Sequence, residues 1–563
     1  MSSYPWHANY PEGVIHDINP DAYSSLPELV DEKIKEYGDL IAFENMGKGI
    51  SYTELGDKID QFVSYIQNHT NLKKGDRIAI QMPNLLQYPV ALFGALKAGL
   101  LVVNTNPLYT PSEMLHQFND SGAKAIVIVE NFACNLEEIL KQTQIETVIV
   151  TKIGDLVGGL KGSIVNFVVK NIKKMVPAYS LPNAISLKEV LRLGSEKQPE
   201  KVEVKNDEIA FLQYTGGTTG VSKGAMLTHR NMVANLEQAS AWVSPCGLVI
   251  REEIFITALP LYHIFALTAN LCLGVKIGAR NVLITNPRDM KAFLGEMKKH
   301  KYSLITGVNT LFNGMLKHPK FKEIDHANCK VVLAGGMALQ RYVLEEWEKI
   351  TGIRIAEAYG LTETSPAVCI NPLNGNIQIG SIGLPIPSTD IILIDDEENK
   401  VKKGEKGELC VKGPQVMDGY WNKPEETKQV FTKDGYFKTG DIAVMLDGGF
   451  VKIVDRKKEM ILVSGFNVYP NEIEDCIALH EKVLEVGAIG VPDPKSTEAV
   501  KVYIVKADKS LTEEEVIEHC KEKLTGYKRP KYVEFTDELP KSNVGKILRR
   551  ILKEEDLKKH SYN

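Results

Sequence analysis

The sequence predicts an α/β protein with a large N-terminal domain of doubly wound sheets, a small β subdomain, and a smaller α+β domain at the C-terminus. From about residue 25 to residue 360, strand-like apolar runs alternate with amphipathic helical patterns, as in parallel sheets covered by helices. After Gly380, short strands and turns rich in Gly and Pro replace this pattern. A chain of 563 residues also exceeds one ordinary core, and we divide it into residues 1–455 and 459–563.

The predicted elements follow one another at short intervals. In the first third of the chain we expect helices at residues 26–37, 51–68, 86–98 and 111–121, and strands at 42–44, 75–83, 100–104 and 125–129. Next come strands at 209–212, 254–263, 302–308, 330–336 and 353–356, with a helix capped by Thr228 after the first of them. The C-terminal domain should have strands at 461–467, 483–491 and 501–506 and helices at 472–480 and 511–524.

Composition and charge place the chain among soluble globular proteins. Hydrophobic residues make up 44% and charged residues 25%, and the formal net charge of −5 argues against a surface that follows nucleic-acid phosphates. The eight cysteines form no CxxC pair, which predicts free thiols in a reducing compartment and no zinc site. The N-terminus lacks a signal-peptide pattern, and Lys97 interrupts the longest apolar run. We therefore expect a cytoplasmic protein without a nucleic-acid partner.

The stretch YTGGTTGVSKG at residues 214–224 has the composition of a phosphate-binding loop. It combines small residues, hydroxyl groups and one positive charge, contributed by Thr215, Gly216, Gly217, Thr218, Thr219, Gly220, Ser222 and Lys223. Glycines let backbone N–H groups approach an anion closely, and the lysine suits the outer phosphates of a nucleotide. The Walker A spacing is absent, so an ordinary P-loop kinase or GTPase is not predicted. A flexible Gly/Thr linker is the alternative, which the strand before the loop and the capped helix after it disfavour.

Five motifs, in order along the chain, resemble those of the adenylate-forming superfamily, which includes acyl-CoA synthetases, luciferases and the adenylation domains of peptide synthetases. They are the phosphate loop, YGLTE at 359–363, YFKTGD at 436–441, DRKK at 455–458 and PKSNVGK at 540–546. The amino-acid sequences of these motifs are most similar to those of bacterial long-chain fatty acyl-CoA synthetases, and the similarity spans about residues 10–552. The resemblance implies two doubly wound sheets in the N-terminal domain and a mobile C-terminal domain that acts as a lid.

The resemblance also implies how a nucleotide would bind. It places the adenine against Gly335, Gly336, Tyr359 and Gly360, the phosphates near Thr215, Lys223 and Thr362, and the ribose beside Asp441 and Arg456. Thr215 and Glu363 would hold Mg²⁺, a hard cation that prefers oxygen ligands and bridges phosphates. Apart from the resemblance, the Gly-Gly turn at 335–336 follows a buried strand, and open α/β sheets bind ligands at the carboxyl ends of their strands.

For the acyl substrate, the resemblance places His263 near the carboxylate. It places Gly307, Val308 and Asn309 along the acyl pocket, where small residues would leave space for a long chain. Leu267 stands where some relatives carry a tryptophan that gates the acyl tunnel, so the sequence does not establish a gate. Taken alone, His263 would more often be a buried structural histidine.

The C-terminal domain would serve both half-reactions. Lys546 would neutralise the charge that builds up between the carboxylate oxygens and the α-phosphate. Residues 456–458 would form a hinge, with Lys458 as its pivot. After the lid rotates, Ser464 and Gly465 would contact the pantetheine arm of coenzyme A.

Residues 161–176 break the α/β pattern and read as a basic amphipathic helix. Such a helix can lie on an anionic membrane surface, with its apolar face in the acyl boundary and its lysines among the head groups. The alternative is a surface helix that packs on its own domain. The first interpretation would make this cytoplasmic protein a peripheral one at the membrane.

Together these expectations describe a ligase that uses MgATP to convert a long-chain fatty acid to its acyl-adenylate and then, with coenzyme A, to the thioester. The predicted catalytic residues are Lys223, His263, Glu363 and Lys546. An adenylating ligase for another carboxylate or for an acyl-carrier protein would share the ATP motifs, as would a luciferase-like oxygenase. A nucleotide-binding regulator without catalysis is an alternative of a different class. Preferred chain length and a possible homodimer stay open.

Overall fold

The computed structural model describes residues 4–215, 222–373, 376–541 and 547–560. Four β-sheets organise this part of the chain, and two of them are large and mainly parallel. The predicted α/β class, with a large N-terminal and a small C-terminal domain, is therefore confirmed. None of the helices in these ranges is both long enough and apolar enough to cross a membrane.

The first large sheet has seven strands. Their spatial order is β7 (Ile185–Ser186), β6 (Thr147–Thr151), β5 (Ala123–Val129), β3 (Arg77–Gln81), β4 (Leu101–Asn104), β8 (Ile209–Tyr214) and β9 (Gly224–Thr228). Only the last pair, β8 and β9, is antiparallel, and the phosphate loop connects these two strands. Both faces of this sheet are buried, as expected for parallel strands connected by helices.

The second large sheet has nine strands. Their spatial order is β16 (Leu384–Pro385), β15 (Ala367–Ile370), β14 (Ala356–Gly360), β13 (Val331–Gly335), β12 (Leu304–Gly307), β10 (Ile254–Thr257), β11 (Arg280–Leu283), β1 (Ile41–Asn45) and β2 (Lys48–Ser51). The strands from β14 to β1 are parallel, and antiparallel strands close each end. The strand expected at 353–356 instead begins at Ala356, because the preceding helix, Arg341–Thr351, is capped by Gly352 at φ +74° and a short linker follows it.

Two smaller sheets complete the protein. The β subdomain is an antiparallel sheet of β17 (Asp390–Ile394), β18 (Lys406–Lys412), β19 (Phe437–Met445) and β20 (Val451–Arg456). The C-terminal sheet contains β21 (Ile461–Val463), β22 (Phe466–Val468), β23 (Val483–Asp493), β24 (Thr497–Lys506) and β25 (Tyr532–Phe535). The single strand expected at 461–467 is therefore a hairpin, because Ser464 and Gly465 both adopt positive φ and reverse the chain.

The helices cover the sheets. In chain order they are α1 (Leu26–Tyr37), α2 (Tyr52–His69), α3 (Gln87–Lys97), α4 (Pro111–Ser121), α5 (Ala133–Ile139), α6 (Gly159–Phe167), α7 (Leu187–Gly194), α8 (His229–Val243), α9 (Ile264–Ala266), α10 (Leu273–Ile277), α11 (Met290–Met297), α12 (Asn309–Lys317), α13 (Arg341–Thr351), α14 (Pro424–Gln429), α15 (Pro470–Ala478), α16 (Glu513–Lys523) and α17 (Arg549–Lys559). Short π-helical segments continue α6 and α9, at Val168–Ile172 and Leu267–Cys272. The predicted Thr228 cap is present, because its hydroxyl accepts from the Asn231 N–H at the start of α8.

Candidate active site

One cavity of about 1060 Å³ lies where the two large sheets, the β subdomain and the C-terminal domain meet. Asn104 and Gln213 line it from the seven-stranded sheet, Leu333 from the nine-stranded sheet, Lys438 from the β subdomain and Leu548 from the C-terminal domain. Most of the predicted site residues that the structure describes face this cavity. Its polar and apolar linings lie at different ends, and each end indicates a different part of a substrate.

The apolar end follows one face of strands β12 and β13. Leu304 and Thr306 of β12 line the cavity together with Val331 and Leu333 of β13, and Val308 follows at the same period of two. Three further apolar side chains, Ala239, Val243 and Leu273, also line the cavity. Four residues of strand span roughly 13 Å, so the apolar lining extends deep below the carboxyl ends of these strands.

Strand alternation corrects two of the predicted acyl contacts. Gly307 faces away from the cavity, and a Cβ built there would lie 2.5 Å from the Phe312 ring, so this glycine leaves no space for an acyl chain. Asn309 is buried at the start of α12, where its Oδ1 accepts from the Gln340 N–H at 3.0 Å. Only Val308 of the three lines the cavity. Leu267 is fully buried and does not line it either.

His263 lies on the cavity wall between the apolar and the polar ends. It caps α9, and its Nδ1 accepts from the Phe265 N–H at 3.4 Å, which assigns the ring proton to Nε2 in the neutral tautomer. Burial lowers the pKa of His263 to about 4. The imidazole is therefore neutral at pH 7 and can donate one hydrogen bond into the cavity.

Two buried amides that sequence reasoning missed hold the turn before His263. The Asn84 amide donates to the carbonyls of Thr257 and Leu259 at 3.0 and 2.9 Å. The Gln213 amide donates to the Tyr262 carbonyl at 2.7 Å. Asn84 follows β3 and Gln213 belongs to β8, and both strands are part of the seven-stranded sheet. This sheet therefore holds the turn that connects β10 of the nine-stranded sheet to His263. Their spacing in the sequence gives no local signal of this contact.

Glycines shape the wall expected to face the adenine. Gly335, Gly336 and Gly360 all line the cavity. A Cβ at Gly335 would lie 3.1 Å from the Phe265 ring, and a Cβ at Gly360 would lie 2.0 Å from the Pro366 carbonyl oxygen. Gly336 has φ +83°, a conformation that side chains other than glycine rarely adopt. The predicted contacts Tyr359 and Thr362 lie beside these glycines on the same wall.

A hydrogen-bonded triad connects this wall to the β subdomain. The buried Asp441 carboxylate accepts from the Tyr359 hydroxyl at 2.5 Å, and its other oxygen lies 3.3 Å from Arg456 Nε. Tyr359 and Arg456 line the cavity, whereas Asp441 lies behind them. Burial and the neighbouring carboxylate raise the pKa of Tyr359 well above its usual value, so the phenol stays protonated and donates.

The phosphate end contains the described ends of the predicted loop. Thr215, Ser222 and Lys223 line the cavity, and the Thr215 N–H donates to the Lys223 carbonyl at 3.0 Å. Lys223 forms an ion pair with Glu426 of α14, and its ammonium lies 5.2 Å from the centre of the Tyr420 ring. The predicted residues Gly216, Gly217, Thr218, Thr219, Gly220 and Lys546 lie outside the described residues.

Glu363 is a buried carboxylate beside this charged group. It accepts from the Tyr420 hydroxyl at 2.7 Å, and burial raises the pKa of Glu363. In the described part of the chain, no lysine or arginine forms an ion pair with it. A buried carboxylate that makes no direct ion pair with a described side chain fits a cation-binding role, and carboxylate and hydroxyl oxygens are suitable ligands for Mg²⁺.

Three residues of the phosphate end were not identified from the sequence. Tyr420 and Glu426 lie between β18 and β19, in the region for which the sequence predicts a small β subdomain and no site residue before Asp441. His116 of α4 holds the loop from the other side, because its Nε2 lies 2.9 Å from the Ser222 carbonyl oxygen. No local pattern marks His116, whereas the GYW run at 419–421 could have drawn attention to Tyr420.

The C-terminal domain reaches the cavity through a few residues near its hinge and its last helix. Ser464 and Gly465 form the exposed tip of the β21–β22 hairpin and do not line the cavity in this arrangement. Lys458 and Leu548 do line it. The Arg549 guanidinium anchors the domain, since it lies 3.4 Å from the Asp455 carboxylate of β20 and also pairs with Glu459 and Glu474.

Comparison with known proteins defines the class of this chain. The model of the AMP-binding enzyme family matches residues 30–421, and that of the AMP-binding enzyme C-terminal domain matches residues 472–546. The chain belongs to the AMP-binding enzyme family. This membership agrees with the cavity, which presents an aromatic ring, glycines, a lysine and a buried carboxylate to a single space.

Particular relatives extend the comparison. A long-chain-fatty-acid–CoA ligase of Escherichia coli is 55% identical over 550 residues, which are 98% of each chain. Enzymes with the same name from Haemophilus influenzae and Bacillus subtilis are 50% and 35% identical, over 98% and 100% of this chain and 99% of each relative. The solved structure of ATP-bound MatB from Rhodopseudomonas palustris is 27% identical, with a TM-score of 0.80 over 94% of this chain and 99% of that one.

Proposed function

We propose that this protein activates long-chain fatty acids with ATP, forming an acyl-adenylate and pyrophosphate, and then transfers the acyl group to coenzyme A with release of AMP. One observation carries the proposal: the cavity continues from a charged end with Lys223 and Glu363 to an apolar end along β12 and β13. The name shared by relatives that match nearly the whole chain supports the same reaction. Acyl-carrier protein as the acceptor, or another carboxylate, is not favoured by these relatives.

The apolar end would bind the hydrocarbon chain. Leu304 and Val331 are paired neighbours at its inner end, and both side chains are almost completely shielded from solvent. Each methylene buried against such walls contributes about 0.8 kcal/mol, or roughly a fourfold gain in affinity. Affinity should therefore rise with chain length until the apolar lining is filled.

The carboxylate would lie where the two ends meet, beside His263. Because the imidazole is neutral at pH 7 and protonated at Nε2, it can donate to a carboxylate oxygen without forming an ion pair that must later break. Such a donor orients the attacking oxygen towards the α-phosphate. Lys546 would neutralise charge at the same point during adenylate formation.

The nucleotide would occupy the polar end. Tyr359, Gly335, Gly336 and Gly360 would contact the adenine, Asp441 and Arg456 the ribose, and Thr215, Lys223 and Thr362 the phosphates. Thr215 and Glu363 would hold Mg²⁺, which neutralises phosphate charge when it is bound. Glu363 is buried, and no lysine or arginine among the described residues forms an ion pair with it, which supports this assignment.

The two half-reactions would use two orientations of the C-terminal domain. Leu548 lies at the cavity here, close in sequence to Lys546, whereas Ser464 and Gly465 lie outside it. This arrangement fits the adenylation step. Rotation about residues 456–458, with Lys458 as the pivot, would withdraw Lys546 and bring Ser464 and Gly465 to the pantetheine arm of coenzyme A.

A measurement of pyrophosphate release tests the main proposal. Saturated acids from acetate to stearate are compared with and without coenzyme A, and thioester formation is followed in parallel. We expect kcat/KM to rise towards long chains and thioester to form only with coenzyme A. Acetate outperforming palmitate would refute the acyl assignment, and transfer to an acyl-carrier protein but not to coenzyme A would refute the acceptor.

We further propose that the protein works at the cytoplasmic surface of a membrane. One face of α6 packs on the domain at Gly162, but Leu160, Ile164 and Phe167 are 78%, 52% and 59% exposed. Ile172 and Met175 extend this apolar surface, and residues 156–188 contain five lysines and no acidic residue. An apolar ridge in a segment whose own charged residues are all lysines suits an anionic bilayer.

The membrane contact is tested with Phe167→Asp. We expect this variant to sediment less with vesicles that contain anionic lipid, while its activity on soluble short-chain acids stays close to that of the wild type. Ile250→Asp is the matched control, because Ile250 is 58% exposed on another surface. Equal sedimentation of both variants and the wild type would exclude this surface as the membrane contact.

A further inference from the structure

The charged end of the cavity contains a carboxylate that the proposed reaction does not use. Glu426 of the short helix α14 lines the cavity and forms an ion pair with Lys223. Lys223 is the residue to which the proposed function assigns the outer phosphates of ATP. Its ammonium also lies over the Tyr420 ring, whose hydroxyl holds Glu363. Glu426 therefore lies at the point where the leaving pyrophosphate would be held.

An ammonium group that pairs with a carboxylate is partly neutralised. Lys223 has to give up or share Glu426 when a polyphosphate arrives, because both anions compete for one compact positive charge. The Lys223 and Glu426 side chains are 36% and 38% exposed, so water screens their attraction. A partly hydrated pair of this kind is weak enough to exchange partners during each turnover.

We propose that Glu426 competes with pyrophosphate for the Lys223 ammonium. In the enzyme without nucleotide, Glu426 forms an ion pair with Lys223. After adenylate formation the same ion pair forms again in place of the contact between Lys223 and pyrophosphate. This exchange weakens pyrophosphate binding and opposes the reverse reaction. No bond is made or broken in this exchange. The inference rests on the proposed function, because it requires Lys223 to contact the outer phosphates.

The test compares Glu426→Gln with Glu425→Gln in the full-length protein. Both substitutions remove one negative charge from the same helix without changing side-chain length, but Glu425 is exposed and does not line the cavity. Binding of magnesium pyrophosphate is measured by calorimetry, and product inhibition by pyrophosphate is measured in the ligase assay. For E426Q we expect pyrophosphate to bind about two- to fivefold more tightly, with a lower KM for ATP and an unchanged KM for the fatty acid.

Ionic strength provides a second readout of the same contact. The difference between E426Q and the wild type should shrink from low to high salt, because salt screens a partly exposed charge pair. E425Q should match the wild type at every salt concentration. If the substitution acted by disturbing the structure, the difference in pyrophosphate affinity would not depend on salt concentration in this way. Thermal unfolding of both variants checks that the fold is intact.

Each outcome separates the inference from the proposed function. Equal pyrophosphate affinity in E426Q and the wild type, with ligase activity present, overturns the role of Glu426 and leaves the reaction unaffected. An equal gain in pyrophosphate affinity in E425Q would show that the effect comes from net charge alone, which also overturns the role of Glu426. Absence of ligase activity and of pyrophosphate binding in the wild type would instead refute the proposed function. Should E426Q be unstable, E426A is compared with E425A by the same measurements.

Discussion

The two ends of the cavity are built in opposite ways. At the apolar end, strands β12 and β13 present side chains such as Leu304 and Val331 that no polar contact holds, and their positions follow from sheet register and close packing. At the charged end, the functional side chains already bind one another, as Asp441 does with Tyr359 and Arg456. The apolar end therefore has a shape set by packing, whereas the side chains of the charged end can exchange their hydrogen-bond and ion-pair partners when a ligand binds.

This difference has a physical consequence for each substrate. Burial of methylenes is non-directional and nearly independent of salt, so the apolar end should discriminate by length alone. The charged end depends on hydrogen bonds and charge pairs, in which loss of one partner leaves another group unsatisfied. Single substitutions should therefore cost more at the charged end than at the apolar end.

The largest effect is expected from Asp441→Ala. The substitution removes the acceptor that Tyr359 and Arg456 share, and with it the proposed ribose contact. Loss of a buried, charge-assisted contact costs about 2–5 kcal/mol, so kcat/KM for ATP should fall by roughly 30- to 5000-fold, with little change in fatty-acid preference. Steady-state kinetics measure this, and Asp441→Asn should lose less because it keeps an acceptor. An unchanged KM for ATP would contradict the assignment.

A selective effect is expected from Lys458→Pro, which alters the lid and leaves the apolar end intact. Proline fixes φ near −65° and removes an N–H, so the hinge should favour one orientation. We expect the thioester step to lose more than the adenylation step, and Lys546→Ala to show the reverse. Each half-reaction is assayed separately, with acyl-adenylate supplied for the second. Equal loss of both steps in each variant would exclude two lid orientations.

A moderate effect is expected from Val331→Phe, which fills the inner part of the apolar end. If the larger side chain displaces about two methylenes, kcat/KM for long-chain acids should fall roughly tenfold, whereas octanoate serves as the internal control and should be unaffected. Thermal unfolding measures the cost of overpacking in the same variant. A uniform loss for all chain lengths would place the acyl chain elsewhere.

The smallest effect concerns pH and His263, where the two ends meet. The pKa of His263 is about 4 in the folded protein, compared with 6.5 for an unperturbed histidine. Between these values the unfolded chain binds more protons, so stability rises with pH and this contribution is lost as pH falls towards 4. From pH 6.5 to 5.5 the loss should be about 1 kcal/mol, and His263→Gln should remove it. Denaturant unfolding at both pH values measures the difference, and an identical slope in the variant would contradict the assigned pKa.

Much of this protein could be predicted from local sequence. The bounds of α1 and α4 agree with the predicted helices, and the Thr228 cap is in place. Such signals lie within a few residues of the element they define, because helix caps and apolar periodicity act over short range. The motifs likewise placed Tyr359, Glu363 and Arg456 beside one cavity.

Tertiary structure alone decided which neighbours these residues meet. Gly307 and Val308 are adjacent in sequence, yet only Val308 reaches the cavity, since sheet packing determines which face of β12 is turned towards it. The pairing of Lys223 with Glu426 joins a loop of one sheet to a helix of the β subdomain. Asn84 follows a strand of the seven-stranded sheet, yet it holds a turn that follows a strand of the nine-stranded sheet. The sequence determines local conformation and chemical character, whereas contacts between distant segments arise only when whole layers pack, because burial and charge pairing depend on the complete set of neighbours.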